Sequence, residues 1–234
     1  MRLEVLKAMN AARRERRAGA IVTRLPDGDQ RFVAAEALGS DPLGHEIEAA
    51  LRMNRSGTVV VDGETFFLTV QTPPPRLTLI GAVHISQALA PMARLAGLDV
   101  KIIDPRTGFA TAERFPDMAV IAEWPDEALA HAPPDRYTGV CLLTHDPKID
   151  DAALKIALQS DCFYIGALGS KKTHAKRLER MRAQGFAESA LARIHAPIGL
   201  DIGAVSPAEI AVSILGEIVA ALRKKPLRSE SAAA

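Results

Sequence analysis

Four segments of the chain combine glycines with side chains that can bind a ligand or transfer a proton. They occupy residues 81–87, 104–106, 144–148 and 166–172, and each follows a short apolar run. Apolar runs of this length, bounded by turn residues, are typical of buried strands. If the strands are parallel, their carboxyl ends meet at one edge of a sheet, where open α/β folds bind ligands. The four segments therefore predict a single ligand-binding edge.

The first segment departs at two positions from the glycine-rich turn that binds a dinucleotide. That turn, G-x-G-x-x-G, lets the backbone approach a pyrophosphate and lets the helix pack on the strand. Gly81 occupies the first position, but Val83 and Ser86 replace the other two glycines, and the branched side chain of Val83 would obstruct a pyrophosphate. Asp104 follows Gly81 by about the 20 residues at which an acid takes a ribose hydroxyl. A dinucleotide site and a Rossmann-type fold without one both stay open.

The third segment carries a hydroxyl, an imidazole and a carboxylate on one loop, at Thr144, His145 and Asp146. His145 could act as a general acid or base, because imidazole titrates near neutral pH. In the competing structural interpretation, Asp146 caps the next helix and His145 is an exposed loop residue. The spacing favours the structural interpretation. No serine lies in a GxSxG context either, so we assign no catalytic residue.

The fourth segment, GALGSKK, precedes a predicted helix over residues 173–184. A glycine such as Gly169 frees backbone N–H groups, Ser170 adds a hydroxyl, and the start of a helix favours an anion. Lysines oppose the helix dipole at this position. A bound phosphate therefore explains Lys171 and Lys172 better than a solvated surface does. The segment is not a Walker A loop, since GxxxxGK[ST] does not match.

A further glycine-rich loop, HAPIGLDIG, carries one imidazole and one carboxylate, at His195 and Asp201, together with the glycines Gly199 and Gly203. Nothing in this spacing indicates a metal site. Buried hydrogen-bonding side chains are the simpler interpretation, and we predict no metal ligands. The following SPAE sequence, residues 206–209, reads as a capping box with proline at the first helical position.

The elements that would position these segments alternate between strands and helices after a run of three prolines. The prolines at residues 73–75 can continue neither a helix nor a central strand, so we place a domain boundary there. Residues 76–225 are predicted to form an α/β domain, a Rossmann-like parallel sheet with helices on both faces. Residues 1–72 are predicted to form a small α+β domain of two helices and two hairpins, and residues 226–234 a disordered tail.

The composition argues against several classes of protein. The net charge is +1, so no global field attracts nucleic acid or an anionic membrane. No stretch approaches the roughly 20 apolar residues that cross a bilayer, and the first residues lack the layout of a secretory signal. Cys141 and Cys162 are too few for a disulfide framework. We predict a cytoplasmic protein with neither a nucleic-acid nor a membrane partner.

Four segments in order resemble the signatures of the XdhC/CoxI family: GAVHISQAL from Gly81, THDPKID from Thr144, YIGALGSKK from Tyr164, and HAPIGLDIG with SPAEIAVSILGEI from His195. The likeness spans residues 77–223. It implies a Rossmann-like domain that binds the molybdenum cofactor, a pterin phosphate, for maturation of a xanthine-dehydrogenase-type hydroxylase. Together with Gly81 and Asp104, the cofactor-binding candidates that match by position are His84, Thr144, His145, Asp146, Gly166, Gly169, Ser170, Lys171, His195, Gly199, Asp201 and Gly203.

Full-length members of that family also carry an N-terminal Ser-Gly-Gly-Cys-Val-Glu segment. The comparable region, residues 39–45, reads GSDPLGH, so a role that depends on that cysteine is not expected here, although a short paralogue could supply it. The resemblance favours a homodimeric chaperone that hands the cofactor to an apo molybdenum hydroxylase. Two alternatives stay open: an NAD(P)-dependent oxidoreductase, and a scaffold subunit that has lost ligand binding and supports a complete paralogue.

The departures at Val83 and Ser86 predict that NADH binds no more tightly than millimolar, which is weaker than about −4 kcal/mol. Changing both residues (Val83→Gly with Ser86→Gly) should improve NADH binding, because a pyrophosphate gains room. It should also lower stability, because glycine loses more backbone entropy on folding. Binding of a pterin monophosphate should change much less. Calorimetric titration of both proteins measures these affinities, and micromolar NADH binding by the unmodified chain would place the oxidoreductase first.

Overall fold

The computed structural model describes residues 2–224 of the chain, which fall into two compact units. The first unit ends at Pro73 and the second begins at Pro74, inside the run of three prolines. The tail predicted for residues 226–234 lies outside the described residues. Among residues 2–224, no helix is long and apolar enough to cross a membrane.

The first unit is a four-stranded antiparallel sheet with two α-helices. Its elements are α1 (Leu3–Arg14), β1 (Gly19–Arg24), β2 (Gln30–Ala34), a 3₁₀ helix (Ala35–Ser40), α2 (Gly44–Met53), β3 (Gly57–Val61) and β4 (Glu64–Gln71). The strand order is β2-β1-β4-β3. Helix α2 packs against β1 and β4, and Ile21, Ile47 and Leu68 are buried. The small α+β fold and both hairpins are confirmed.

The second unit is a six-stranded parallel sheet covered by helices, as the alternating pattern predicts. Its strands lie in the order β10-β9-β8-β5-β6-β7. The elements are β5 (Arg76–Ile80), α3 (His84–Leu95), β6 (Asp99–Ile103), β7 (Ala119–Ile121), α4 (Pro125–His131), β8 (Thr138–Leu142), α5 (Pro147–Gln159), β9 (Tyr164–Ala167), α6 (Lys171–Ala183), α7 (Glu188–Leu191), β10 (Ile194–His195) and α8 (Pro207–Lys224).

Strand β8 shows why this sheet is apolar on both faces. Val140 and Leu142 belong to the core formed with α4 and α5, whereas Cys141 and Leu143 belong to the core formed with α3 and α8. Successive side chains of a strand point to opposite faces, so a strand between two helical layers must be apolar throughout. Burial also raises the pKa of the Cys141 thiol far above its ordinary value, which leaves it inert as a nucleophile.

Two features of the second unit are not evident from the sequence. Helix α3 begins at His84, so only residues 81–83 separate it from β5. Strand β10 falls where the sequence suggested only a loop, and it is two residues long, with Ile194 and His195 paired to β9. Such a short strand is defined by its neighbour rather than by its own pattern, and no periodicity reveals it.

Gly166, a predicted cofactor-binding residue, lies inside β9, and its requirement for glycine comes from packing. It is buried, and a methyl group on it would lie 2.4 Å from Ile198 Cδ1 and 2.6 Å from Ile198 Cγ1. Glycine is required here because Ile198 packs directly against the strand backbone. This position therefore serves packing.

Gly166→Ala should lower the free energy of unfolding by about 1–3 kcal/mol, the usual cost of forcing extra volume into a packed core. The matched control is Gly108→Ala, since a methyl group at Gly108 would meet no atom within 4 Å. Urea unfolding of both variants and the wild type measures the difference. Equal stability of the two variants would show that Ile198 moves aside at no cost.

Candidate functional site

The strand order reverses at β5, which has β6 on one side and β8 on the other. Open α/β sheets bind ligands at such a switch point. Gly81 follows β5 and Thr144 lies just after β8. A methyl group on Gly81 would lie 2.7 Å from Thr144 Cγ2 and 3.3 Å from Thr144 N. Gly81 also has a φ of +111°. Glycine is thus needed both for the backbone conformation and for the close approach of the two loops.

The turn from β5 into α3 is closed by a buried hydroxyl. Ser86 Oγ donates a hydrogen bond of 2.5 Å to the carbonyl of Gly81, and Ser86 is fully buried. Val83 is the N-cap residue of α3, has an extended backbone (φ −98°) and packs partly against the core. His84 is the first residue of the helix, and its side chain is exposed. Ser86 therefore acts as part of the turn, and its replacement by glycine would remove a buried hydrogen bond.

Asp104 binds the protein backbone instead of standing free for a ribose hydroxyl. Its Oδ2 accepts from the Ala82 amide at 2.8 Å, its Oδ1 from the Arg106 amide at 3.0 Å, and the Arg106 guanidinium donates to both oxygens. Burial raises the pKa of this carboxyl, but the hydrogen bonds from Arg106 and Ala82 outweigh burial and place the pKa below its ordinary value. The predicted ribose contact is therefore not supported.

The loop after β8 is organised by helix caps. Asp146 accepts from the Lys148 amide at 2.9 Å and caps α5, which confirms the structural interpretation of this residue. Thr144 Oγ1 accepts from the Asp146 amide at 3.0 Å and donates to Asp150 Oδ1 at 2.7 Å. His145 is exposed and has a φ of +63°. The hydroxyl and the Asp146 carboxylate thus serve the fold, while the imidazole faces outward.

Asp150 is a residue of this site that the sequence analysis missed. Its side chain is buried, and burial raises the pKa of its carboxyl despite the hydrogen bonds from Thr144. The sequence carries a weak signal for it, because Asp150 lies one helical turn after the cap Asp146, where an apolar residue would be expected to face the sheet.

The loop after β9 leads into α6 through a glycine of positive φ and a serine cap. Gly169 has a φ of +131°, and Ser170 caps α6 through its Oγ, which accepts from the Thr173 amide at 3.2 Å. Lys171 and Lys172 are exposed and occupy the first turn of α6. The first N–H groups of a helix lack partners within the helix. The first turn of α6 therefore carries backbone donors and two exposed lysines.

The loop after β10 is fixed by Glu217 of α8, which the sequence analysis also missed. Glu217 accepts hydrogen bonds from Tyr164 Oη (2.5 Å) and the Gly199 amide (2.8 Å), and its Oε1 lies 2.9 Å from His195 Nδ1. Burial raises the pKa of Glu217, but these hydrogen bonds outweigh burial and lower it. A methyl group on Gly199 would lie 2.2 Å from Ser213 Oγ. His195 and Gly199 thus hold the loop on α8.

The remaining two candidates lie farther along that loop. Asp201 and Gly203 are exposed, and a methyl group on Gly203 would meet no atom within 4 Å. The structure therefore brings together Gly81, Thr144, His145 and the start of α6, and leaves Asp201 and Gly203 on an outer loop. No group of three or more His, Cys, Asp or Glu residues that could hold a metal ion occurs within residues 2–224.

Comparison with known proteins identifies the family of the second unit. A family model described as the XdhC Rossmann domain matches residues 77–218. The chain belongs to the XdhC family. The matched region contains every strand of the second unit from β6 to β10 and nearly all of β5.

Three curated relatives are each 32% identical to this XdhC-family chain. The uncharacterized protein YqeB of Escherichia coli matches over 192 residues, 75% of this chain and 33% of YqeB. A probable xanthine dehydrogenase subunit of Bacillus subtilis matches over 148 residues (63% and 43%), and the molybdenum cofactor insertion chaperone PaoD of E. coli over 146 residues (62% and 40%). The chain spans less than half the length of each relative.

A crystal structure described as a xanthine dehydrogenase from Bacillus halodurans has the same fold. The TM-score is 0.65 at 20% identity, and the match covers 98% of this chain and 65% of that one. At this identity the likeness concerns the fold alone.

Asp104→Asn should lower the free energy of unfolding at pH 7 by at least about 2 kcal/mol, since hydrogen bonds to charged groups contribute roughly 1.5–3 kcal/mol. Because the folded-state pKa of Asp104 is lowered, its contribution is present above the ordinary carboxyl pKa of about 3.9 and is lost as the pH falls through the lowered value. Urea unfolding measured from pH 7 to pH 3 should show the difference in unfolding free energy between the wild type and Asp104→Asn becoming smaller as the pH falls. The control is the exposed Asp201→Asn. A difference between the wild type and Asp104→Asn that does not change with pH would contradict the prediction.

Proposed function

We propose that this XdhC-family chain binds the molybdenum cofactor at the carboxyl edge of its six-stranded sheet and delivers it to an apo molybdenum hydroxylase. One observation carries the proposal: the glycine turn at Gly81 touches the Thr144 loop at the switch point, and the adjoining residue of that loop, His145, shares a pocket with Lys172 at the start of α6. A crevice and an anion-binding helix start are therefore adjacent, which suits a ligand with a flat ring and a phosphate.

The phosphate of the pterin would be held by the first turn of α6. Gly169 has a positive φ there, the first amides of α6 have no partner within the helix although Ser170 caps that of Thr173, and Lys171 and Lys172 add two positive charges. Within residues 2–224, neither lysine forms an ion pair with a carboxylate, so both charges are available to a ligand.

The names of two relatives, a molybdenum cofactor insertion chaperone and a probable xanthine dehydrogenase subunit, support the same cargo. We extend the proposal to a homodimeric cytoplasmic protein whose partners are an apo molybdenum hydroxylase and a paralogue that carries the missing cysteine segment. Its role is binding and delivery, and no residue is assigned to catalysis.

An NAD(P)-dependent oxidoreductase finds less support at this edge. Asp104, which would bind a ribose hydroxyl, already accepts hydrogen bonds on both oxygens. Val83 and Ser86 fill the places of two glycines, and Ser86 is bonded to the carbonyl of Gly81. A dinucleotide would have to displace contacts that hold the turn.

Purification from a molybdenum-replete host, followed by metal and pterin analysis, tests the proposal. The wild type should retain molybdenum and pterin in equal amounts. Lys171→Ala with Lys172→Ala should weaken binding of the pterin phosphate at least about tenfold, because charge-assisted hydrogen bonds contribute roughly 1.5–3 kcal/mol.

The matched control changes two exposed lysines outside the edge, Lys7→Ala with Lys155→Ala, and so removes the same charge. Its affinity should equal that of the wild type. A wild type that carries no pterin, yet still raises the activity of a co-expressed hydroxylase, would replace this proposal with the scaffold interpretation.

A further inference from the structure

A pocket of about 210 Å³ lies between the start of α5 and the first turns of α6. His145 and Asp150 contribute to it from the β8–α5 side, and Lys172, Lys176 and Arg177 from α6. Lys171 does not line it. Lys172 thus belongs both to this pocket and to the start of α6 where the proposed function places the phosphate of the pterin.

Arg177 is a buried cation that has no ion-pair partner within residues 2–224. Its exposed fraction is 2%, and Nη2 donates to the Leu168 carbonyl at 2.9 Å. Nε and Nη1 are buried and have no hydrogen-bond partner within the described residues. Burial lowers the pKa of this guanidinium. Burying a charge whose N–H donors lack acceptors costs free energy, and a ligand that accepts from those donors would remove the cost.

Asp150 lines the same pocket, and one of its two oxygens is unused. Thr144 occupies its Oδ1, whereas its buried Oδ2 has no partner among the described residues. Asp150 and Arg177 attract each other electrostatically, but they form no ion pair. The unused oxygen of one and the unused N–H groups of the other therefore point to a third group that would lie between them.

The balance of charge identifies that group as an anion. Arg180 already forms a two-point ion pair with Asp151, at 2.5 and 2.9 Å, so its charge is compensated. The three remaining cations, Lys172, Lys176 and Arg177, face a single carboxylate, Asp150, whose pKa burial raises. If Asp150 takes up a proton, its Oδ2 becomes a donor to an oxyanion.

We propose that this pocket is a binding site for a phosphate group, held by Lys172, Lys176 and Arg177 and contacted by the Oδ2 of Asp150. Phosphate suits it because a tetrahedral oxyanion can accept from several donors at once. The group can come from two sources, free inorganic phosphate or the phosphate of the cargo bound at the sheet edge. Only the second source rests on the proposed function.

Titration of the full chain, purified without bound pterin, with inorganic phosphate tests the site, and calorimetry and ³¹P NMR measure the binding. The wild type should bind one phosphate saturably. Lys176→Ala should weaken binding at least about tenfold, and the fold should tolerate it because Lys176 is exposed. Lys155→Ala, an exposed lysine of α5 outside the pocket, is the control and should bind like the wild type.

Asp150→Asn provides a test that a merely structural role would not pass. The asparagine keeps an oxygen for the Thr144 hydroxyl and offers an amide donor in place of Oδ2, while removing a negative charge. Phosphate binding should therefore tighten at least about fivefold. Unsaturable binding by the wild type, or equal affinity of the wild type and Lys176→Ala, would overturn the proposal.

Protein loaded with the pterin cofactor separates the two sources. If the pocket holds the phosphate of the cargo, loaded protein no longer binds inorganic phosphate; if it takes free phosphate, loaded protein binds it as before. Suppose that the chain purified from a molybdenum-replete host carries no pterin, yet binds one phosphate that Lys176→Ala weakens. This result would contradict the proposed function and support the phosphate site.

Discussion

The buried carboxylate of Asp104 holds the sheet edge together at the point where the strand order reverses. It joins the end of β5, through the Ala82 amide, to the segment after β6, through Arg106. A buried carboxylate without such partners would cost several kcal/mol. The requirement to keep both partners therefore fixes the turn after β5 and the Arg106 side chain in one conformation. The position of Gly81 against Thr144 depends on that turn, and with it the shape of the crevice.

The same device recurs along the edge. Asp150 ties the loop after β8 to its helix, and Glu217 ties the loop after β10 to α8. In each case a carboxylate accepts hydrogen bonds from donors of the loop that follows a strand, where the hydrogen bonds of the sheet have ended. The cations Lys171, Lys172 and Lys176 remain exposed. Because Asp104 and Glu217 are engaged in hydrogen bonds while these three lysines reach solvent, the edge favours an anionic ligand even though the chain as a whole is nearly neutral.

Membership of the XdhC family concerns the whole second unit, and within that unit the geometry of the edge singles out the loops where we propose the ligand site. The family match covers the sheet and its loops, and those loops hold the open glycine turn and the basic helix start. A protein that delivers a phosphate-bearing cofactor needs a site that binds the cargo and can release it. Exposed lysines suit release, because contacts that stay in water are weaker than buried ones.

The sequence alone determined the two-part organisation, the parallel sheet and the loops at its edge, because strand and helix periodicities are local properties that short windows reveal. It also identified the cap at Asp146 and predicted an anion site at the start of α6, because both signals lie within a few residues. Only the tertiary structure decided which candidates are held by contacts within the protein. Asp104 and His195 bond to other parts of the chain, Gly166 packs against Ile198, and Asp150, Arg177 and Glu217 emerged. The partners of a buried polar group lie on other strands and helices, distant in sequence.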